Sequence, residues 1–253
     1  MLITVLLLVY IEFVLSENME AFIVGGKDVD ILHSGHSVFL TVQIDVRLVV
    51  HVCGASILNQ NIIITAAHCF EDISQHSKVT VRAGHVHKMQ GSVRNVKRLV
   101  SHNKFDRNTA GNDIALAYFK KPLILGSSIK RVIVMKDTPK INVGYVDGWG
   151  MIDDIKQKGT STLKRLKQPL WSRDECKKLL RRVPMGILCG GAQNSKEYAA
   201  EGDSGSALVV NDSIQVGLVS FKRPEISNSI IVYTELSYFY KWIMNASRKI
   251  FCK

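Results

Sequence analysis

Three short patterns that could carry nucleophilic chemistry occur in one order along the chain: Thr65-Ala66-Ala67-His68-Cys69, Asn112-Asp113-Ile114-Ala115-Leu116 and Gly202-Asp203-Ser204-Gly205-Ser206. A serine hydroxyl is a poor nucleophile at its own pKa, so an imidazole must take its proton during attack. That imidazole needs a buried carboxylate to fix its tautomer and stabilise its cation. Attack on a carbonyl also creates an oxyanion, which needs preorganised donors. Gly202 and Gly205 suit this, because glycine lets the backbone turn sharply and brings N–H groups close to a carbonyl. Each pattern alone has a plainer reading. A histidine beside a cysteine is usually a core or surface residue, Asn-Asp often starts a strand or turn, and Gly-Asp-Ser-Gly is often only a loop. In the order His, Asp, Ser, each bordered by strand-like sequence, the three are far more specific.

The elements that must position them are short. Apolar, β-branched runs recur between turn residues at Val38–Ile44, Ile62–Thr65, Val79–Ala83, Ile114–Phe119, Ala207–Val210, Val216–Phe221 and Ile230–Thr234. Recurrent short strands without intervening helical patterns predict an all-β barrel or sandwich. A helix is expected over Ser172–Arg182, with Ser172 as N-cap, Asp174 and Glu175 in the first turn and basic residues at its end. A second is expected from about Ser237 to Lys249, with Tyr238, Trp242 and Asn245 and the pair Phe239 and Ile243 forming its face against the body. Pro122 and Pro139 mark the connection between two halves.

The first residues bear on the compartment. Met1 to Leu15 is almost wholly apolar, with Glu12 its single charge, and is followed by Ser16 and the polar run Glu17-Asn18-Met19-Glu20. A run this short reads as a secretory signal peptide over residues 1–16, although a basic residue near Met1 is missing. The alternative is a membrane anchor, but a span needs about 20 apolar residues. No later stretch is long and apolar enough, so no membrane span is expected. Five cysteines, Cys53, Cys69, Cys176, Cys189 and Cys252, are available for disulfides in an exported chain. Spacing alone leaves the pairing open, and an odd number leaves one over. Asn211-Asp212-Ser213 and Asn245-Ala246-Ser247 fit the N-glycosylation pattern.

The formal net charge is +11, and residues 1–22 carry three acids and no Lys or Arg, so the remainder is more basic still. Such a surface is expected to attract polyanions: sulfated glycans, acidic proteins or anionic membrane surfaces. Lys164, Arg165 and Lys167 form one basic group; Lys177, Lys178, Arg181 and Arg182 form another. The plainer alternative is solvated charge that maintains solubility. No nucleic-acid-binding motif accompanies the charge, so nucleic acid is not expected as a partner.

On these motifs the sequence resembles the trypsin and chymotrypsin family of serine proteases, over about Ile23 to Ile243. The resemblance implies two six-stranded antiparallel β-barrels with a C-terminal helix and the site in the cleft between them. Residues 23–253 would be the peptidase domain. Its first barrel, about 23–131, would supply His68 and Asp113; its second, about 132–253, would supply Ser204 and the substrate pocket. By this resemblance His68 is the general base, Asp113 its orienting partner and Ser204 the nucleophile, with the N–H groups of Gly202 and Ser204 as oxyanion hole. Ser220, in Val219-Ser220-Phe221, matches a serine that borders the triad, and Gly148-Trp149-Gly150 matches another landmark.

Ile23-Val24-Gly25-Gly26 is similar to the family's mature N-terminus, whose new ammonium group pairs with the aspartate before the nucleophile, here Asp203. That implies a propeptide over residues 17–22. Phe22 precedes the cut in place of Lys or Arg, so an ordinary tryptic activator is not expected to act there. Cys53–Cys69 and Cys176–Cys189 resemble family bridges, which leaves Cys252 as a free thiol or a link to another chain. The resemblance also implies a secreted monomer that needs no metal or organic cofactor. Its partners would be protein or peptide substrates and serpin-type or other protease inhibitors.

The pocket departs from the family. Ala200 stands where most relatives have a bridged cysteine, and Tyr198 where trypsins have an aspartate. Lys222 and Ile231 fall on positions usually held by glycine. These changes predict a shallow pocket that does not select Lys or Arg; Lys222 or Arg223 could favour an acidic residue or point to solvent. They also keep open two alternatives: a catalytically weak or inactive homologue acting as a binding or regulatory protein, and a non-catalytic polyanion-binding β protein.

Overall fold

Ile62-Ile63-Ile64-Thr65 is β-branched at every position, and all four residues are buried. Stiff branched side chains favour a strand, and burial on both faces places this one inside the molecule. A computed structural model describes residues 24, 26–44, 50–139, 142–153, 156, 158–180, 184–191, 197–224 and 226–252. The signal-peptide and propeptide segments, Ile23, Arg181 and Arg182 lie outside the described residues.

The first sheet comprises β1 (Ser37–Gln43), β2 (Val50–Asn59), β3 (Ile62–Thr65), β4 (Lys78–Ala83), β5 (Ser92–Asn95), β6 (Arg98–Ser101) and β7 (Ala115–Tyr118). Their order is β5-β4-β1-β2-β3-β7-β6, all antiparallel. Between β5 and β6 lie only Val96 and Lys97, whose amides donate to Val79 O (2.9 Å) and Tyr118 O (2.7 Å). Residues 92–101 therefore act as one bent strand that pairs with β4 at its start and β7 at its end. That closes a barrel of six strands around Val38, Leu40, Ile57, Ile63, Val81 and Phe119. Strand β4 shows the expected alternation, with Val79, Val81 and Ala83 inward.

The second sheet comprises β8 (Val143–Gly148), β9 (Lys164–Pro169), β10 (Ile187–Gly190), β11 (Ala207–Val210), β12 (Ile214–Arg223) and β13 (Ser227–Glu235), in the order β9-β8-β11-β12-β13-β10. A bridge between Leu170 and Gly190 joins its two borders. The pairs Lys27–Asp28 on β9 and Ile133–Val134 on β12 are short additions to these six. Val146, Leu166, Leu208, Val219 and Tyr233 fill its interior. The two-barrel architecture matches the expectation from sequence.

Helix α1 (Arg173–Leu180) starts at a capping box: the Ser172 amide donates to Glu175 Oε2 (2.7 Å), and the Glu175 amide donates to Ser172 Oγ (3.3 Å). Helix α2 (Tyr240–Cys252) begins three residues later than expected, because the Ser237 hydroxyl is engaged with Glu235 Oε1 (2.8 Å) and Thr138 Oγ1 (2.8 Å). Tyr238 is 50% exposed and Asn245 is exposed, so neither belongs to the apolar face. Ile243 faces inward as expected and is joined by Ala246 and Ile250, with Phe239 just ahead of the helix and Trp242 packed alongside, against Ile62, Ile64 and Leu116 of the first barrel and Leu218 and Leu236 of the second. Among the described residues no helix is long and apolar enough to cross a membrane.

One basic group differs from its expected role. Strand alternation turns Lys164 inward, 1% exposed, with Nζ 2.6 Å from Asp28 Oδ1. Arg165 is held by Asp147, its Nε 2.7 Å from Oδ1 and its Nη2 2.8 Å from Oδ2. Only Lys167 of that trio projects to solvent. Burial of a lysine needs a charged partner, and here the partner lies far away in sequence.

Candidate active site

His68 sits in a single 3₁₀ turn (Ala67–Phe70) directly after β3. The Cys53–Cys69 disulfide fastens that turn to β2, and Cys176–Cys189 ties α1 to β10. Asp113 lies just ahead of β7 and is 1% exposed. Its approach includes Asn112 at φ +57°, a conformation that asparagine tolerates better than most residues, with the side chain donating to Lys104 O (2.8 Å).

The carboxylate of Asp113 gathers three donors. The His68 amide reaches Oδ1 at 2.9 Å, His68 Nδ1 lies 2.8 Å from Oδ2, and the Ser220 hydroxyl donates to Oδ2. From the second barrel, Thr234 Oγ1 also donates to the Asp113 carbonyl (2.8 Å). Burial pushes the Asp113 carboxyl upward, but the bonds and charge from His68 and the Ser220 bond outweigh it and hold its pKa below the ordinary value. Burial likewise pushes the His68 imidazole down, yet the Asp113 hydrogen bond and charge raise it above 6.5, with Glu71 adding to the rise. Sequence gave no signal for Thr234; Ser220 was marked only through the resemblance.

Ser204 is held by its backbone. Its carbonyl accepts from Gly54 N (2.8 Å), and Gly205 N donates to Val219 O (2.7 Å). Gly205 has φ +79°, and a Cβ there would collide with Thr65 Oγ1 and come within 2.5 Å of Gly54 O. Only glycine lets this loop press against β2 and the residues leading to His68. Asp203 is fully buried; its Oδ1 accepts from Gly150 N (2.9 Å) and its Oδ2 from Ala200 N (2.9 Å). A Cβ on Gly150 would collide with that carboxylate, which explains the second glycine of Gly148-Trp149-Gly150.

Ser204 and His68 line one cleft of about 380 Å³ together with Val50, His51, Val52, Lys88, Trp149, Met151 and Gly202. Among the described residues, Ser204 Oγ makes no hydrogen bond to His68 Nε2, and the amides of Gly202 and Ser204 donate to no protein acceptor. The first bond commonly tightens only when substrate binds. Cys53, His68 and Cys69 bring their ligand atoms together, but the two sulfurs are bonded to each other and offer no thiolate to a metal. Cys252 is free and exposed.

A family profile described as Trypsin matches residues 23–243. The chain belongs to the trypsin family of serine proteases. A relative in this family, "Trypsin eta" of Drosophila melanogaster, is 30% identical over 248 residues, covering 91% of this chain and 90% of that protein. "Trypsin-4" of Rattus norvegicus is 28% identical, covering 76% of this chain and 78% of that one. Among solved structures, a collagenase ("HL collagenase") superposes with a TM-score of 0.78 at 23% identity over 88% of this chain and 97% of the other. A scabies mite inactivated protease paralogue superposes at 0.77 with 22% identity over 89% and 97%. These two structures support the trypsin-family fold.

Within that frame the expected pocket residues part company. The Tyr198 amide donates to Val24 O (3.0 Å), while its ring lies under the Lys222 ammonium, 4.9 Å from centroid to Nζ. Ile231 is 1% exposed and packs in the second-barrel core with Val219, Ala199 and Tyr233, which differs from a pocket-lining role. Its place in β13, paired to both Gly190 and Lys222, turns the side chain into the barrel. Sequence reasoning also passed over a buried cluster between the barrels: Ser34 Oγ donates to Asp147 Oδ2 (2.7 Å), which lies 3.8 Å from His36 Nε2. The available signal was an acid, Asp147, inside an apolar run.

Proposed function

We propose that this chain is an exported serine endopeptidase acting through His68, Asp113 and Ser204. The observation that carries the reading is the buried Asp113 carboxylate bonded to His68 Nδ1, with Ser204 on the same cleft. His68 takes the Ser204 proton as Oγ attacks the peptide carbonyl, and the amides of Gly202 and Ser204 stabilise the oxyanion. The C–N bond then breaks as His68 passes the proton to the leaving amine, giving an acyl-enzyme. Water, deprotonated by His68, attacks the ester and releases the acid and free Ser204. Asp113 keeps the imidazole in the productive tautomer throughout.

Activation pairs the Ile23 ammonium with Asp203 after removal of residues 17–22; Ile23 itself lies outside the described residues. Tyr198 in place of an aspartate argues against selection of Lys or Arg. The Asp113–His68 pair and the Ser204 loop weigh against a non-catalytic homologue. The test is covalent labelling by a fluorophosphonate probe: the processed protein labels and Ser204→Ala does not. Absence of labelling beside a labelled trypsin control overturns the reading. Polyanion binding is proposed to rest on the exposed Lys167, Lys177 and Lys178, and salt-sensitive retention on heparin tests it.

A further inference from the structure

In acyl transfer by this constellation, the leaving half of a substrate lies over the imidazole that protonates its amine. The acyl half lies on the other side of Ser204, toward Ser220 and Lys222. The two sides are unlike in this chain. On the acyl side, Lys222 on β12 and Tyr198 on the facing segment meet, with the ammonium over the ring at 4.9 Å. By the family resemblance Tyr198 stands at the base of the pocket for that side chain and Lys222 where glycine usually leaves its entrance open, so their contact would fill it.

On the leaving side lies the cleft of about 380 Å³, and neither Tyr198 nor Lys222 lines it. That volume is within the range of about 300–1,000 Å³ usual for small-ligand sites. Its wall is apolar at Val52, Trp149 and Met151. It is also rigid: Trp149 Nε1 donates to Val86 O (2.7 Å), its ring meets Phe39 edge-on at 5.8 Å, and Met151 N donates to Glu201 O (2.8 Å). A preformed apolar wall seats a side chain without the cost of ordering it.

We propose that this chain selects substrates by the residue that follows the scissile bond, a large apolar side chain seated against Val52, Trp149 and Met151. The residue before the bond is small, because Lys222 and Tyr198 occupy the ground a larger one would take. The proposal deepens the peptidase reading and rests on it.

The test is a peptide library varied on both sides of the bond, digested by processed protein whose active fraction is first counted with the fluorophosphonate probe. Large apolar residues after the bond should be favoured over glycine by about tenfold or more, and Gly, Ala or Ser before it over Phe or Arg. Met151→Ala should weaken the first preference alone; Lys222→Gly, or Lys222→Ala if that variant fails to fold, should relax the second alone. Labelled protein that is indifferent after the bond, or that prefers a large or charged residue before it, overturns the proposal. Protein that does not label overturns the peptidase reading itself.

Discussion

His68 Nδ1 lies 2.8 Å from Asp113 Oδ2, and the same oxygen accepts the hydroxyl of Ser220. One carboxylate thus joins a turn of the first barrel to a strand of the second. Asp113→Asn should leave the fold intact and lower kcat by about 10⁴-fold, because an amide stabilises the wrong imidazole tautomer. Ester hydrolysis, with far-ultraviolet circular dichroism as the folding control, checks this. A loss smaller than about tenfold would remove Asp113 from the mechanism.

The pH profile carries a second expectation. The proposed mechanism needs neutral His68, whose pKa is raised above 6.5 by Asp113 despite burial. At pH 6.5 most of the imidazole is therefore protonated and unable to accept the Ser204 proton. The acid limb of kcat/KM should have its midpoint above 6.5, and a midpoint below that value would contradict the geometry.

A third expectation concerns stability. His36 is 3% exposed, and burial lowers its pKa below 6.5, with Arg165 and Lys130 acting in the same direction and Asp147 and Asp212 opposing. The folded state then binds fewer protons than the unfolded chain. Stability from this site is complete above 6.5 and is lost as pH falls through the lower folded value. The urea midpoint should fall as the pH drops from about 7 to about 5, and His36→Leu should flatten part of that fall. Identical slopes for the two proteins would show that His36 does not titrate on unfolding.

The Ser204 loop supplies a fourth. Gly205→Ala places a methyl group into Thr65 Oγ1 at a positive φ. A cost of about 2–4 kcal/mol is expected from strain and overpacking. Probe labelling should fall more than thermal stability predicts, since Ser204, the proposed nucleophile, moves with its loop. Unchanged labelling would mean that the close approach to Gly54 and Thr65 is not needed.

The proximity of His68 and Asp113 was legible because each sits in a local pattern, and the strands because β-branched runs such as Ile62–Thr65 and Ala207–Val210 fall on observed elements. Lys164 and Arg165 were read as surface charge because residue type alone favours exposure. Their partners, Asp28 and Asp147, became visible only once β8, β9 and the N-terminal segment were brought together. Ile231 was misread for a related reason: alternation along β13 and a neighbour on each side, not its place in an aligned loop, decide where its side chain goes. The late start of α2 follows from Glu235 and Thr138 engaging Ser237, a competition between tertiary bonds and local helix signals.

The bent strand of residues 92–101 has a bearing on solubility as well as shape. Because it meets both β4 and β7, neither of those strands is left as the open edge of the described sheet. A second molecule therefore finds no template along the paired stretches of β4 and β7 on which to add a strand, and edge-to-edge aggregation is not promoted at those two borders.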